Sequence, residues 1–161
     1  MNAVLKTMNE ATAPGVGEYL TFRLGEEEYG LDILAVQEIR GYEAPTRVAN
    51  APAFLKGVSN LRGTIVPIID MRLRFNCASA EYNHLTVVII LNLRERVVGI
   101  VVDSVSDVIE LTAEQVQPAP DVESTIDARC IRCLGSVGGR MLILLDIEKL
   151  MASPDMGLAN T

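Results

Sequence analysis

The chain has 161 residues, which is enough for one domain with a substantial core or for two very small domains. Hydrophobic residues make up 49% and charged residues 22%, so the composition is that of a globular protein. The formal net charge of −7 argues against binding to nucleic acid or to an anionic membrane surface, because both ligands require a positive surface. The longest apolar runs, at residues 87–91 and 141–145, are far shorter than a membrane span or the core of a secretory signal. We therefore expect a cytoplasmic protein with no membrane insertion.

Few residues carry reactive side chains. Cys130 and Cys133 form a CxxC motif, which is typical of a redox pair or of half a zinc site. A zinc site needs four ligands, and only Cys77 and His84 remain to complete it. A single histidine also leaves little capacity for acid–base chemistry, and we expect it to lie in an exposed turn. The sequence predicts no catalytic residue, no metal and no cofactor.

Alternating apolar residues predict two β-hairpins. The first runs through residues 20–24, turns at residues 25–28 and returns through residues 29–33. The second runs through residues 87–102 and is rich in β-branched residues, which favour strands. These hairpins indicate that the fold is all-β.

The two ends of the chain have a different character. Residues 1–17 and 153–161 carry no periodic apolar pattern, and we expect both to be flexible tails. The folded part is therefore predicted to be residues 18–152. Its last element is predicted to be a short helix at residues 147–151, capped by Asp146.

The folded part contains an internal repeat. A shift of 69 residues places the first hairpin on the second, with Gly30 on Gly99, and a shift of 76 places Asp70 on Asp146. Two β units of about 65–70 residues predict two small barrels or sandwiches, one from each half, that share an apolar interface. Asp70 and Asp146 both follow an apolar strand, and we expect each to cap the turn after it.

One stretch fits two kinds of structure. The apolar residues of residues 31–42 match a helical stripe as well as a strand. Its partner in the repeat, residues 100–109, contains four valines and two isoleucines. Because β-branched side chains lose rotamer freedom in a helix, both stretches are predicted to be strands.

The repeat also isolates residues that occur in one half only. Arg62 aligns with Gly138, and Glu38 aligns with Asp107, which is expected to have no arginine to face. Glu38 and Arg62 are predicted to form an ion pair. That pair is either a surface salt bridge of little energetic value or a polar contact beside an apolar partner-binding patch, where arginine is a common anchor.

The same segments resemble the CheW family, the coupling proteins of bacterial chemotaxis. The first half carries the resemblance in Glu28–Ile33, Val36–Ile39, Gly57–Gly63 and Val66–Arg72. The second half continues it in Val97–Asp103, Val105–Val108 and Leu144–Asp146. The resemblance covers about residues 18–152. It implies two five-stranded SH3-like β-barrels packed around a shared hydrophobic core, with a short C-terminal helix.

The resemblance also implies a function. CheW-like proteins are non-enzymatic adaptors that join the histidine kinase CheA, through its regulatory domain, to the cytoplasmic tips of methyl-accepting chemoreceptors. They alternate with that regulatory domain in the rings of signalling arrays. The expected partners are therefore CheA and the receptors, with recruitment from the cytoplasm to membrane-associated arrays.

The family's functional positions can be carried over to this sequence. The receptor-binding face is expected at Val36, Glu38, Gly57, Arg62, Val88 and Val108, with valines for apolar contact and Gly57 for close approach. The kinase-binding face is expected on the first barrel, at Ile39, Tyr42 and Arg47. The ring contact is expected on the second barrel, at Gln117, Asp121 and Val122.

Two other classes of function stay open at the level of sequence. A redox or metal sensor would use Cys130 and Cys133, and bound zinc or a reversible thiol titration would favour it. A β-barrel that binds a small ligand would show a specific ligand-induced melting shift without affinity for CheA.

Overall fold

The structure is a computed structural model, and it describes residues 16–75, 81–93, 96–118 and 130–152. Within these residues the chain forms eleven strands: β1 (Gly17–Leu24), β2 (Glu27–Asp32), β3 (Val36–Gly41), β4 (Leu55–Leu61), β5 (Thr64–Asp70), β6 (Val87–Leu93), β7 (Arg96–Val102), β8 (Ser104–Leu111), β9 (Val116–Gln117), β10 (Ile131–Val137) and β11 (Arg140–Leu145). Two short helices follow β5 and β11, namely α1 (Met71–Arg74) and α2 (Ile147–Ala152). The all-β prediction is confirmed.

The strands form two sheets of the same design. Sheet A has the strand order β8-β1-β2-β11-β10-β9, and sheet B has the order β3-β6-β7-β5-β4. The strands β1 to β5 correspond in the repeat to β6, β7, β8, β10 and β11, so the internal repeat is a structural one. Sheet A has one strand more than predicted, because the two-residue strand β9 pairs with its edge.

Each sheet is built from both halves of the chain. The β1–β2 hairpin joins strands of the second half through parallel pairing of β2 with β11. The β6–β7 hairpin joins strands of the first half through parallel pairing of β7 with β5. The expectation of one barrel from each half is therefore wrong. The two hairpins have equivalent apolar patterns, and their exchange ties the halves into one cooperative body.

Sheet B closes into a barrel where the segment after β3 meets β4. The N–H of Thr46 donates to the carbonyl of Val58 at 2.9 Å, and the N–H of Val58 donates back to Thr46 at 2.8 Å. Gly57 permits this approach, since a Cβ there would lie 2.0 Å from the Thr46 carbonyl oxygen. Sheet A closes in the same way through the pairing of Gln117 with Leu134.

A single apolar core lies between the two sheets. It includes Phe22 and Leu31 from sheet A and Ile89 and Ile100 from sheet B, all fully buried. Leu150 of α2 is also buried in this core. Each sheet has a second, smaller apolar cluster of its own. The shared core is therefore confirmed.

The ambiguous stretch and the closing helix have the predicted form. A 3-10 turn at Ile33–Ala35 separates β2 from β3, and Asp32 accepts the N–H of Leu34 at 2.9 Å. Apart from this turn and Tyr42, which follows β3, the stretch is strand, as predicted. Asp146 accepts the N–H of Lys149 at 3.2 Å, which confirms it as the cap of α2.

The two predicted tails fall almost entirely outside the described residues. Gly17, the last residue of the predicted N-terminal tail, begins β1. None of the helices described is long and apolar enough to cross a membrane.

Candidate functional site

Arg62 occupies an unusual backbone position at the tip of the β4–β5 hairpin. The φ angles of Arg62 and Gly63 are 51° and 89°, so two consecutive residues are left-handed. Hairpin turns of this kind favour glycine and asparagine. The equivalent turn between β10 and β11 consists of Gly138 and Gly139, with φ angles of 55° and 81°. A left-handed non-glycine residue costs about 1–2 kcal/mol, so the backbone alone would favour glycine at position 62.

The predicted ion pair of Arg62 is present. Arg62 Nη2 lies 3.0 Å from Glu38 Oε2, and Arg40 Nη1 lies 3.2 Å from Glu38 Oε1. Hydrogen bonds from the two guanidinium groups hold the pKa of Glu38 below its usual value. The side chain of Arg62 is nevertheless 63% exposed, which leaves most of its surface available for a further contact.

The other predicted receptor-binding residues are distributed over both sheets. Val36 on β3 is half-buried against the shared core, and Gly57 on β4 is buried against Thr46. Val88 on β6 is only 5% exposed and belongs to the inner cluster of sheet B. Val108 is 51% exposed but lies on β8 of sheet A. The structure therefore brings five of the six residues to sheet B and places Val108 on the other sheet.

Two clefts flank the segment that follows β3. The Val88 cleft, of about 260 Å³, is lined in part by Asn60, Leu61 and Val88. The Tyr42 cleft, of about 420 Å³, is lined in part by Tyr42, Arg47 and Lys56. Ala44 and Pro45 line both clefts, so this short segment separates them.

Two of the three predicted kinase-binding residues lie together. Tyr42 and Arg47 both line the Tyr42 cleft. Ile39 lies three residues earlier, on β3, where its side chain is exposed and its backbone pairs with Ile89. All three belong to the sheet B barrel.

The predicted ring contact is described only in part. Gln117 is exposed on β9, where its pairing with Leu134 helps to close sheet A. Asp121 and Val122 lie outside the described residues.

A buried ion cluster beside the Tyr42 cleft was not predicted. Arg72 is 1% exposed, and its Nε and Nη2 each lie 3.0 Å from an oxygen of Asp70, while Nη1 lies 3.1 Å from Asp103. Burial alone would raise the pKa of Asp70, but hydrogen bonds from Arg72 and Tyr82 outweigh it and lower the pKa. Asp70 also accepts the N–H of Arg72, so its predicted cap is confirmed. The repeat could have drawn attention to Arg72, because Arg72 aligns with Glu148 and an arginine therefore occurs at this position in one half only.

The expectation that Asp107 has no arginine to face is wrong. Its two carboxylate oxygens lie 3.1 and 3.2 Å from Arg140, which also donates from Nε to Glu28 at 3.1 Å. Hydrogen bonds from Arg140 lower the pKa of both acids. The repeat hid this pair because Arg140 aligns with Thr64 and not with Arg62.

The cysteine motif has the character of core packing. Cys130 belongs to the shared core and Cys133 to the inner cluster of sheet A, and both side chains are buried. Burial raises the pKa of Cys133, so its thiol is poorly suited to redox chemistry at neutral pH. Over the part of the chain that is described, no group of three His, Cys, Asp or Glu side chains could hold a metal ion. Cys77 lies outside that part, and His84 is in an exposed turn, as predicted.

Comparison with known proteins decides the family. Residues 18–155 match the family model of the CheW-like domain. The chain belongs to the CheW family. The chemotaxis protein CheW of Klebsiella aerogenes is 56% identical over 159 residues, which cover 98% of this chain and 96% of that protein. The probable chemotaxis protein CheW of Rhizobium etli is 34% identical over 155 residues, which cover 96% of this chain and 97% of that protein.

A solved CheW structure has the same fold. The crystal structure of the scaffolding protein TtCheW from Thermoanaerobacter tengcongensis matches with a TM-score of 0.75 and 32% identity, covering 81% of this chain and 88% of that one. The predicted family and the predicted fold are thus confirmed. CheW proteins are scaffolds of chemotaxis and not enzymes, so this member acts through contacts.

The features available for contact in this CheW-like domain lie largely on sheet B. Arg62 offers an exposed guanidinium that Glu38 orients. The two clefts lie on either side of residues 44–45, and the wall of the Val88 cleft is mostly polar while that of the Tyr42 cleft is mixed.

Proposed function

We propose that this protein is the adaptor that couples the histidine kinase CheA to the cytoplasmic tips of methyl-accepting chemoreceptors. It works in the cytoplasm, at membrane-associated receptor arrays, and it holds receptor and kinase in a fixed relative geometry. Motion of the receptor then biases the activity of the kinase. Membership of the CheW family supports this role, as does the presence of two possible contact surfaces on one barrel.

The observation that carries the proposal is the geometry of Arg62. The residue is left-handed where its structural counterpart is Gly138, so its backbone is less favourable than that of glycine. Its ion pair with Glu38 is at the surface, where such pairs contribute little to stability. Folding therefore does not account for an arginine at this position, whereas contact with a partner does.

The receptor is proposed to bind at the Val88 cleft and the Arg62–Glu38 pair. A receptor tip is a helical hairpin, and an amphipathic helix commonly binds in a groove, here one with polar groups beside the apolar side chains of Leu61 and Val88. Glu38 fixes the rotamer of Arg62 beside that groove. In this proposal Val36 and Gly57 shape the barrel under the contact, and Val108 adds an exposed apolar side chain from sheet A.

The kinase is proposed to bind at the Tyr42 cleft, on the other side of residues 44–45. Tyrosine and arginine, here Tyr42 and Arg47, are the residue types most often found as anchors in interfaces. Exposed Ile39 adds apolar area on the same barrel. A third contact, at Gln117, Asp121 and Val122, is proposed to join neighbouring members of an array.

Two binding measurements test this proposal. The affinity of the purified protein is measured for a receptor-tip fragment and for the regulatory domain of CheA. We expect Arg62→Glu to abolish receptor binding only, and Arg47→Glu to weaken kinase binding only. Arg23→Glu is the matched control, because Arg23 is an exposed arginine on β1 of sheet A, and it should keep both affinities.

The wild-type protein should also form a ternary complex with both fragments on a sizing column. A wild-type protein that binds neither fragment would contradict the proposal. So would variants of Arg62 and Arg47 that each lose both partners, because the two surfaces would then not be separate.

A further inference from the structure

Tyr82 lies directly behind the Tyr42 cleft. Its ring stacks on that of Tyr42, with the ring centroids 4.3 Å apart and the planes 25° from parallel. The ammonium group of Lys56 lies 5.7 Å from the Tyr82 ring centroid. Tyr42 and Lys56 both line the cleft, whereas Tyr82 does not. Tyr82 thus contacts two cleft residues from outside the cleft.

Tyr82 is itself held by the buried ion cluster. Its hydroxyl donates to Asp70 Oδ2 at 2.6 Å, and the guanidinium carbon of Arg72 lies 4.8 Å from its ring centroid. Burial and the hydrogen bond to Asp70 keep the pKa of Tyr82 well above its usual value, so the hydroxyl remains a donor. Although Tyr82 is 40% exposed, its hydroxyl and one ring face are therefore fixed.

The cluster is anchored to both sheets. One carboxylate oxygen of Asp103 accepts from Arg72 at 3.1 Å, and the other accepts the N–H of Gly25 at 2.7 Å. Gly25 lies in the β1–β2 turn of sheet A, while Arg72 follows β5 of sheet B. The stack of Tyr82 on Tyr42 therefore rests on a rigid base that joins the two barrels.

We propose that Tyr82 is a positioning residue for the kinase-binding cleft, an inference that rests on the proposed function. It holds the ring of Tyr42 and the ammonium group of Lys56 in the orientation that the partner meets. Side chains ordered before binding lose less conformational entropy when the complex forms. Loss of Tyr82 therefore weakens kinase binding and leaves the receptor surface unchanged.

The chemistry of the cleft indicates what it accepts. Its walls carry apolar side chains, among them Pro45, Pro52 and Leu55, and it holds the cations of Arg47 and Lys56. On a protein with a net charge of −7, this is a local basic and apolar site. It fits a partner surface on which an apolar side chain stands beside a carboxylate.

The test compares two substitutions of Tyr82 with a neighbour. Tyr82→Ala removes the ring, Tyr82→Phe keeps the ring and removes only the hydroxyl, and Leu85→Ala alters an exposed residue of the same segment. Calorimetry gives the affinity of each variant for the CheA regulatory domain and for a receptor-tip fragment. We expect Tyr82→Ala to bind the kinase about tenfold more weakly and Leu85→Ala to stay within about threefold of the wild type. Tyr82→Phe should lose less than Tyr82→Ala, because it gives up the hydrogen bond to Asp70 but keeps the ring contacts with Tyr42 and Arg72. Receptor affinity should be the same for all.

A double-mutant cycle separates positioning from direct contact. The cycle compares Tyr42→Ala, Tyr82→Ala and the variant that carries both substitutions. Because Tyr82 acts through Tyr42, the double variant should lose less kinase affinity than the product of the losses in the two single variants. Three results would overturn the inference: kinase affinity unchanged in Tyr82→Ala, kinase and receptor affinity lowered together, or losses that multiply. A wild-type protein without affinity for the kinase would overturn the proposed function and this inference with it.

Discussion

The guanidinium of Arg140 lies 3.1 Å from the carboxylate of Asp107, and Arg62 and Glu38 form the equivalent pair in the other barrel. Each barrel thus pairs an acid on β3 or β8 with an arginine from its β4–β5 or β10–β11 hairpin. An acid–arginine pair therefore recurs in both barrels, and its presence alone does not mark a contact site. Arg140 is also held by Glu28, whereas Arg62 is left-handed and mostly exposed. These two properties of Arg62, and not the ion pair alone, distinguish it as a contact residue.

Replacing Arg62 by glycine should separate stability from function. Arg62→Gly restores the residue type that the equivalent turn has at Gly138, so the free energy of unfolding should stay within about 1 kcal/mol of the wild type. Receptor affinity should fall by about tenfold or more, because an interface anchor is lost. Urea unfolding and binding to a receptor-tip fragment measure the two effects. A loss of more than about 2 kcal/mol would show that Arg62 is structural.

Replacing Arg72 should lower the stability of the protein, in contrast to replacing Arg62. Arg72→Ala leaves the carboxylate of Asp70 buried without its main partner, and breaking a buried pair in this way costs about 3–5 kcal/mol. Arg40→Ala is the matched control, because Arg40 pairs with Glu38 at the surface, and its stability should stay close to that of the wild type. Urea unfolding measures both variants, and equal stabilities would contradict the role given to the cluster.

The closure of sheet B can be tested at Gly57. Gly57→Ala would place a Cβ against the Thr46 carbonyl at a left-handed φ of 148°, and should destabilise the protein by at least about 2 kcal/mol. Gly41→Ala is the control, since a Cβ at Gly41 meets nothing within 4 Å. In thermal unfolding, Gly57→Ala should have a lower melting temperature than Gly41→Ala. A Gly57→Ala variant as stable as Gly41→Ala would mean that Thr46 does not pack against β4.

Stability should fall in acid. The pKa values of Glu28, Asp70 and Asp107 are lowered in the folded protein, and those of the acids beside Arg140 are lowered by its hydrogen bonds. A lowered folded-state pKa gives stability that is present above the unfolded pKa of about 4 and is lost as the pH falls through the folded value. Urea unfolding between pH 7 and pH 3 should therefore show a decline below about pH 4.5.

Arg140→Gln supplies the control for this decline. The variant removes the cation beside Glu28 and Asp107, so its stability should depend less on pH than that of the wild type. Identical pH profiles for the two proteins would contradict the contribution of Arg140.

The sequence was sufficient to predict the strands and the shared core, but not the exchange of hairpins. The alternation of apolar residues in β1–β2 and β6–β7 is equivalent, with Gly30 on Gly99. Either hairpin therefore presents a suitable edge and apolar face to either set of remaining strands. The assembly is decided by pairs between the halves, namely the parallel pairs of β2 with β11 and β5 with β7 and the antiparallel pairs of β1 with β8 and β3 with β6. Pairing between strands so distant in sequence leaves no local sequence pattern.

The candidate site was predicted where a side chain differed between the halves and missed where the alignment concealed it. Arg62 stood out because its counterpart is Gly138, and its pair with Glu38 followed. Arg140 was missed because the second arginine comes two positions later in its hairpin. The burial of Arg72 was missed because arginine is rarely buried unless it is paired, and its partner Asp103 is distant in sequence.

Autophosphorylation of CheA in receptor-containing membranes, with and without this protein, tests the coupling role most directly. We predict a large rise with the wild-type protein that requires receptor, kinase and adaptor together, and no such rise with folded Arg62→Gly. If folded wild-type protein and cognate partners give no rise, or if Arg62→Gly supports the full rise, the account of coupling through Arg62 is contradicted.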